Sequence, residues 1–157
     1  MRGTHERESW GSVPLDFYVF RFGPLLSRHF ARQSDRMAGL FVNVFLHYRA
    51  KGRYLLHEFV VMPDHFHLLI TPRESLERAM QFIKGGFSFR ARKALGFLHE
   101  IWQPSFYDRR VRSAGEYFAF RKYIRQNAVR RGLAVSPEDY RYSSAWAGLC
   151  WTRYLSG

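Results

Sequence analysis

The chain has 157 residues, 46% of them hydrophobic, and its 25 Lys and Arg against 13 Asp and Glu give a formal net charge of +12. This length suits one domain with a full core, and this charge favours a polyanionic partner, with nucleic acid ahead of a membrane surface. The single Cys150 excludes an internal disulfide and a Cys-x-x-Cys zinc site. The apolar run 38–46 is too short to cross a bilayer, and the polar N-terminus lacks the apolar central segment of a signal peptide. We therefore expect a cytoplasmic protein.

The first part of the chain alternates between strand and helix patterns. Residues 1–14 are polar and charged, and we expect them to form a flexible tail. Residues 15–22 are rich in aromatic and branched side chains, which predicts the first strand. Residues 34–50 carry apolar side chains at spacings of three and four, which predicts an amphipathic helix that stops before Gly52.

A hairpin follows, because two apolar runs, 54–61 and 65–71, meet at the turn formers Pro63 and Asp64. Successive side chains of a strand alternate between its two sides, so His65 and His67 stand on the same side of the second strand. This spacing suits two ligands of one metal ion, with a third ligand from elsewhere in the fold. Two partly buried histidines, hydrogen-bonded within a sheet, are the structural alternative.

The next elements are less sharply marked. A second helix is predicted from about Ser75 to Lys84, and we expect Gly85 and Gly86 to break or end it. Residues 87–98 continue a basic and apolar pattern that predicts no single form. Residues 106–112 are a candidate for the fourth strand.

The last helix has signals at both ends. Ser113–Glu116 fits a capping box, and Gly132 follows a final turn that contains arginines. At 100° per residue, a core stripe is predicted at Tyr117, Phe120, Ile124 and Ala128. Tyr123 and Asn127 lie together on the flank of that stripe, where a ligand could reach the tyrosine.

This order of elements predicts an α+β fold. It is typical of a ferredoxin-like sandwich, in which a four-stranded, mainly antiparallel sheet has helices packed on one face, here with a C-terminal helix that carries Tyr123. We expect the domain to span residues 15–146 and residues 147–157 to form a C-terminal tail.

Five blocks in this order resemble the REP-associated tyrosine transposases. They are 62–72 (Met-Pro-Asp-His-Phe-His-Leu-Leu-Ile-Thr-Pro), 83–85 (Ile-Lys-Gly), 102–108 (Trp-Gln-Pro-Ser-Phe-Tyr-Asp), 123–129 (Tyr-Ile-Arg-Gln-Asn-Ala-Val) and 137–144 (Pro-Glu-Asp-Tyr-Arg-Tyr-Ser-Ser). These transposases are single-tyrosine members of the HUH nuclease class, and the resemblance covers residues 15–145. It implies a transposase that cleaves and rejoins single-stranded DNA at palindromic, REP-like hairpins.

The resemblance also implies a role for each matching residue. His65 and His67 match the pair that binds a divalent metal, Mg²⁺ or Mn²⁺, and Asn127 matches a position where relatives place a third ligand. Tyr123 matches the nucleophile that forms a 5′-phosphotyrosine intermediate. The family usually has Pro where this chain has Ala128, and Ala restores an amide hydrogen and lets the helix run straighter.

The charge predicts a nucleic-acid partner, and the resemblance implies that this partner is single-stranded or hairpin DNA. We expect a monomer or homodimer that associates with the nucleoid. Aromatic residues are 18% of the chain, and several lie among arginines, an arrangement that suits base stacking beside backbone contacts. The basic side chains predicted to hold phosphates are Lys84, Arg109, Arg110, Arg112, Arg121 and Arg125.

Two other functions remain open from the sequence. One is a domesticated hairpin-binding protein that no longer cuts DNA, and the other is an RNA-binding module on a similar sheet. The presence of both histidines and Tyr123 favours the enzyme, and Tyr107 and Tyr117 are the competing candidates for the nucleophile.

Overall fold

The computed structural model of the protein describes residues 17–22, 34–96, 98, 102 and 107–149. The tail predicted for 1–14 and Cys150 lie outside these residues, as does the end of the C-terminal tail. The elements in chain order are β1 (Phe17–Phe22), α1 (Ser34–Ala50), β2 (Tyr54–Val61), β3 (Phe66–Pro72), α2 (Leu76–Leu95), β4 (Tyr107–Val111), α3 (Ala114–Arg130) and a 3₁₀ turn (Pro137–Asp139). None of the described helices is long and apolar enough to cross a membrane.

The four strands form one sheet in the order β2-β3-β1-β4, and every neighbouring pair is antiparallel. With a helix after β1 and another after β3, this is the arrangement of a ferredoxin-like sandwich. The α+β fold class predicted from the sequence is therefore confirmed. Strand β3 is paired at both edges, and six of its seven residues are buried because helices cover both faces of the sheet.

One face of the sheet carries the main core, which is formed with α1 and α2. Phe66, Leu68 and Ile70 of β3 point to this face and are fully buried. The rings of Phe41 on α1 and Phe87 on α2 stack with centroids 3.6 Å apart and an interplanar angle of 5°. This aromatic contact joins the two helices above the sheet.

The prediction that Gly85 and Gly86 end the second helix is wrong. Helix α2 runs through both residues to Leu95, and Gly96, with φ of 62°, ends it in the left-handed conformation that glycine adopts easily. A Cβ atom on Gly86 would lie 2.5 Å from the ring of Tyr48, whereas one on Gly85 would meet nothing within 4 Å. The absence of a side chain at Gly86 therefore allows α1 and α2 to pack closely together.

Helix α3 covers the opposite face of the sheet. Its N-terminus is capped by Ser113, whose Oγ accepts a 3.1 Å hydrogen bond from the amide of Glu116. The Glu116 carboxylate accepts a hydrogen bond from the amide of Arg112. In the predicted capping box the donor would be the amide of Ser113, one residue later. Of the predicted stripe, Ile124 and Ala128 are buried, and the other two members pack against them partly buried, so the face assignment is confirmed.

The segment after α3 returns to the edge of β2. The Val61 amide donates to the Tyr142 carbonyl (2.8 Å), and the Ser144 amide donates to the Phe59 carbonyl (3.0 Å). Leu149 then packs against the main core. Residues 142–144 thus cover the outer edge of β2 near its C-terminal end. This end of β2 lies beside the start of β3, where the histidines lie.

Candidate active site

The two histidines lie at the start of β3 and are both buried. Their rings are perpendicular, with centroids 4.9 Å apart. The turn before them is tight, because the amide of Met62 donates a 2.7 Å hydrogen bond to the carbonyl of His65. The hairpin thereby presents two imidazoles side by side on the face covered by α3.

His65 is oriented by its neighbour Asp64. The Nδ1–H of His65 donates a 2.6 Å hydrogen bond to Oδ1 of Asp64, which leaves Nε2 as the ring nitrogen that can face a ligand. Partial burial opposes ionisation of Asp64, but this bond, the His65 charge and the Arg131 charge together hold the pKa of Asp64 below its usual value. The sequence pattern predicts only a turn at Asp64. Its position next to His65 is the signal that could have indicated its contact with the imidazole.

Tyr123 meets the histidines from α3. Its ring is perpendicular to that of His67, with centroids 5.4 Å apart, and the residue is 38% exposed. On the same helix, the guanidinium of Arg130 lies 4.7 Å from the centroid of the Tyr123 ring. Two elements distant in the sequence thus bring a phenol beside the imidazole pair and leave it open to solvent.

Asn127 follows Tyr123 by one turn and is buried at 4% exposure. Within the described ranges, no group of three or more His, Cys, Asp or Glu side chains could hold a metal ion. A donor set of two imidazoles and one amide oxygen still fits a divalent metal whose remaining positions are taken by phosphate oxygens or water. His65, His67 and Asn127 are the residues predicted from the sequence to hold such an ion.

A buried carboxylate ties α3 to β2 beside the site. Glu58 is 1% exposed, and its Oε1 accepts hydrogen bonds from Nε of Arg121 at 3.1 Å and from Nη1 of Arg125 at 3.4 Å. Its other oxygen accepts from the hydroxyl of Ser144. Arg121 and Arg125, both predicted to hold phosphates, therefore neutralise a buried charge within the protein. Glu58 is not predicted from the sequence, because nothing in its local pattern indicates that it is buried.

The other predicted phosphate contacts are dispersed. Arg109 forms a 2.7 Å ion pair with Glu116, while Arg110 and Arg112 are exposed near the start of α3. Lys84 lies on α2, across the sheet from Tyr123, with its Nζ 5.6 Å from the centroid of the Trp102 ring. Partial burial lowers the pKa of Lys84. The structure does not bring Lys84 to the histidine pair.

The competing tyrosines lie elsewhere. The Tyr117 hydroxyl lies 3.4 Å from Nδ1 of His57, and Nε2 of the same imidazole lies 2.8 Å from the Thr71 hydroxyl. Burial and the nearby Arg121 lower the pKa of His57 to about 4. Tyr107 lies on β4, the edge strand, and the register places it two strands from His67, since both residues lie opposite Arg21 of β1.

Comparison with known proteins shows the family of this chain. A model of the family described as "Transposase IS200 like" matches residues 27–127, from before α1 to within α3. The chain belongs to the IS200-like transposase family. The matched range contains His65, His67, Tyr123 and Asn127.

Solved structures add a likeness in fold for this IS200-like transposase. The structure of a REP-associated tyrosine transposase bound to a REP hairpin matches with a TM-score of 0.64 and 22% identity, covering 84% of this chain and 78% of that one. A transposase from Deinococcus radiodurans matches at a TM-score of 0.47 and 20% identity, covering 73% and 92%, a likeness too low to add to the argument. No curated protein matches the sequence. The resemblance found in the motifs is confirmed at the level of family and fold.

Proposed function

We propose that this IS200-like transposase is a metal-dependent single-strand DNA endonuclease that cleaves and rejoins DNA at palindromic, REP-like hairpins through a 5′-phosphotyrosine intermediate. The observation that carries the proposal is the placement of the half-exposed Tyr123 ring against His67, with centroids 5.4 Å apart. A nucleophile must lie beside the group that activates the phosphate, and here both come from rigid elements.

The reaction follows from these side chains. A divalent metal, Mg²⁺ or Mn²⁺, when bound by His65, His67 and Asn127, supplies positive charge to the phosphate oxygens and eases attack on phosphorus. Tyr123 Oη forms a bond to phosphorus and loses its proton to solvent, and the bond from phosphorus to the 3′ oxygen breaks. The 3′ oxygen leaves as a hydroxyl after taking up a proton. Because the ester bond is retained, a 3′ hydroxyl can later displace Tyr123 without ATP.

Asp64 has a supporting part in this proposal. By accepting a hydrogen bond from Nδ1–H of His65, its carboxylate favours the tautomer in which Nε2 can bind a ligand. The buried setting of both histidines also limits the rotamers that they can adopt.

Hairpin DNA is the substrate supported best. The solved relative with the same fold is described as bound to a REP hairpin. In this chain the formal net charge of +12 favours a polyanion, and the exposed ring of Phe118 suits stacking on an unpaired base. Nothing in the described elements resembles a helix that would read a major groove.

The proposal is tested by incubating the protein with a single-stranded palindromic DNA labelled at its 3′ end and Mn²⁺ or Mg²⁺, then separating the products by denaturing electrophoresis. We expect a labelled protein–DNA adduct that forms with metal and is absent with EDTA. A blunt, non-palindromic duplex of equal length is the matched substrate control. Cleavage without any adduct, or equal binding of the duplex in competition, would contradict the proposal.

A further inference from the structure

We propose that Arg130 is a positioning residue for Tyr123, and that its guanidinium holds the phenol ring against His67 in the orientation needed for attack. This inference rests on the proposed function, since it assigns Arg130 a part in the reaction of Tyr123. It adds a residue that the family motifs and the metal site do not account for.

The geometry comes from the helix. Arg130 follows Tyr123 by two turns of α3, so both side chains project from the same side of the helix. The guanidinium carbon of Arg130 lies 4.7 Å from the centroid of the Tyr123 ring, within the range of a cation–π contact. His67 approaches the same ring at 5.4 Å with perpendicular planes. The ring therefore has one contact with the sheet and one with its own helix.

Tyr123 needs this second contact because it is 38% exposed. A tyrosine at the edge of a core loses little free energy when its ring swings toward water, and each misplaced rotamer removes the hydroxyl from its line of attack. A cation over the ring face opposes that movement without covering the hydroxyl. The phenol is thereby oriented and still open to a DNA strand.

Arg130 differs from the other arginines of α3. Arg121 and Arg125 both pair with the buried carboxylate of Glu58, so their charges anchor the helix to β2. Arg130 is exposed and contacts the ring of Tyr123. A cation in the last turn also compensates the helix dipole, but that contribution acts on stability and leaves the rate of a bound complex unchanged.

The test compares Arg130→Gln and Arg130→Lys with Lys122→Gln, a matched control that removes an exposed positive charge from the same helix. Dissociation constants for a labelled palindromic strand are measured in EDTA. The rate of adduct formation is then measured in single turnover at saturating protein with Mn²⁺. NOEs between the Tyr123 ring and the side chain of residue 130 report the contact without DNA or metal.

We expect Arg130→Gln to slow adduct formation at saturation by at least about tenfold, with the dissociation constant changed by less than about threefold. Arg130→Lys, which keeps a cation within reach of the ring, should recover most of the rate. Lys122→Gln should stay within about twofold of the parent protein in both measurements.

Three outcomes would overturn the inference. They are an unchanged saturated rate in Arg130→Gln, a loss confined to affinity, and an equal rate loss in Arg130→Gln and Arg130→Lys. Tyr123→Phe, run in parallel, separates this inference from the proposed function. If that variant still forms the adduct, the proposed nucleophile is wrong; if it forms none while Arg130→Gln is fully active, only the role of Arg130 is wrong.

Discussion

The two faces of the sheet are built from different kinds of side chain. The face under α1 and α2 buries a large aromatic and aliphatic core, in which Phe41 and Phe87 stack at 3.6 Å. The face under α3 buries a smaller apolar cluster together with polar groups, among them His65, His67 and Glu58. Both sets of side chains come from the same strands, since alternate residues of β3 point to opposite faces.

This difference separates stability from chemistry. Burial of large apolar side chains is the main favourable term in folding, and the face under α1 and α2 supplies most of it. Buried polar groups cost free energy unless they are paired, and the face under α3 accepts that cost where imidazoles and a phenol must meet. We therefore expect substitutions in the apolar core of the first face to change stability, and substitutions of His65, His67 or Tyr123 on the second face to change reactivity.

The largest expected effect is the loss of cleavage in His65→Ala and His67→Ala. Each removes one of two imidazoles from the proposed metal site, and we expect the rate of adduct formation to fall by at least about a thousandfold. Affinity for a palindromic strand in EDTA should remain within a few fold, because charges spread over the surface supply it. His47→Ala, on α1, is the matched control. Normal cleavage by either site variant would leave the pair a purely structural role.

Glu58→Gln tests whether the polar network under α3 also stabilises the fold. The substitution keeps the size of the side chain but removes the charge that Arg121 and Arg125 neutralise. Because both arginines are about one-third exposed, we expect a loss of about 2 kcal/mol in the free energy of unfolding, below the value for a fully buried pair. Glu138→Gln is the control, since its 3.9 Å pair with Arg125 lies at the surface and should contribute about 0.5 kcal/mol or less. Urea unfolding measures both, and equal small losses would show that Glu58 is dispensable.

A neighbouring pair of glycines tests the packing of the opposite face. Gly86→Ala would place a methyl group 2.5 Å from the Tyr48 ring, whereas Gly85→Ala would meet nothing within 4 Å. We expect the first to destabilise the protein by about 1–2 kcal/mol and the second to stabilise it by up to about 1 kcal/mol through helix propensity. Thermal unfolding of the two variants provides the comparison. Similar shifts in the two would contradict the account of why α2 continues through these residues.

The smallest expected effect concerns pH and His57. Burial, and then the charge of Arg121, lower the pKa of this imidazole to about 4, below the value of about 6.5 in an unfolded chain. The unfolded state therefore binds the proton first, so stability is fully present above pH 6.5 and declines as the pH falls toward 4. Between pH 7 and pH 5, His57→Gln should lose less stability than the parent by about 1–2 kcal/mol. The groups that face His57 are Tyr117 and Thr71. An identical pH dependence in both proteins would exclude a neutral, buried His57.

Local signals were sufficient for most of the fold. Period, cap and turn residues predicted α1, the hairpin and the start of α3, because each is determined within a few residues of sequence. The end of α2 was missed because Gly86 is needed by Tyr48, a contact between helices that a local glycine rule cannot include. The site residues His65, His67 and Tyr123 could be chosen only by adding a family resemblance to the pattern. Glu58 could not be found because its arginine partners lie on another element. Arg130 could not be found because its contact with Tyr123 depends on the rotamer that the arginine side chain adopts.

Tyr123→Phe is the most direct test of the central claim, because it removes one oxygen atom from a half-exposed ring and leaves its contacts with His67 and Arg130 in place. We expect a change of about 1 kcal/mol or less in the free energy of unfolding, and unchanged affinity for a palindromic strand. Both strand cleavage and the covalent adduct should be abolished in the presence of Mn²⁺. Residual cutting without an adduct would indicate a water nucleophile. An adduct that persists in Tyr123→Phe but disappears in Tyr117→Phe or Tyr107→Phe would contradict the assignment of Tyr123 as the nucleophile.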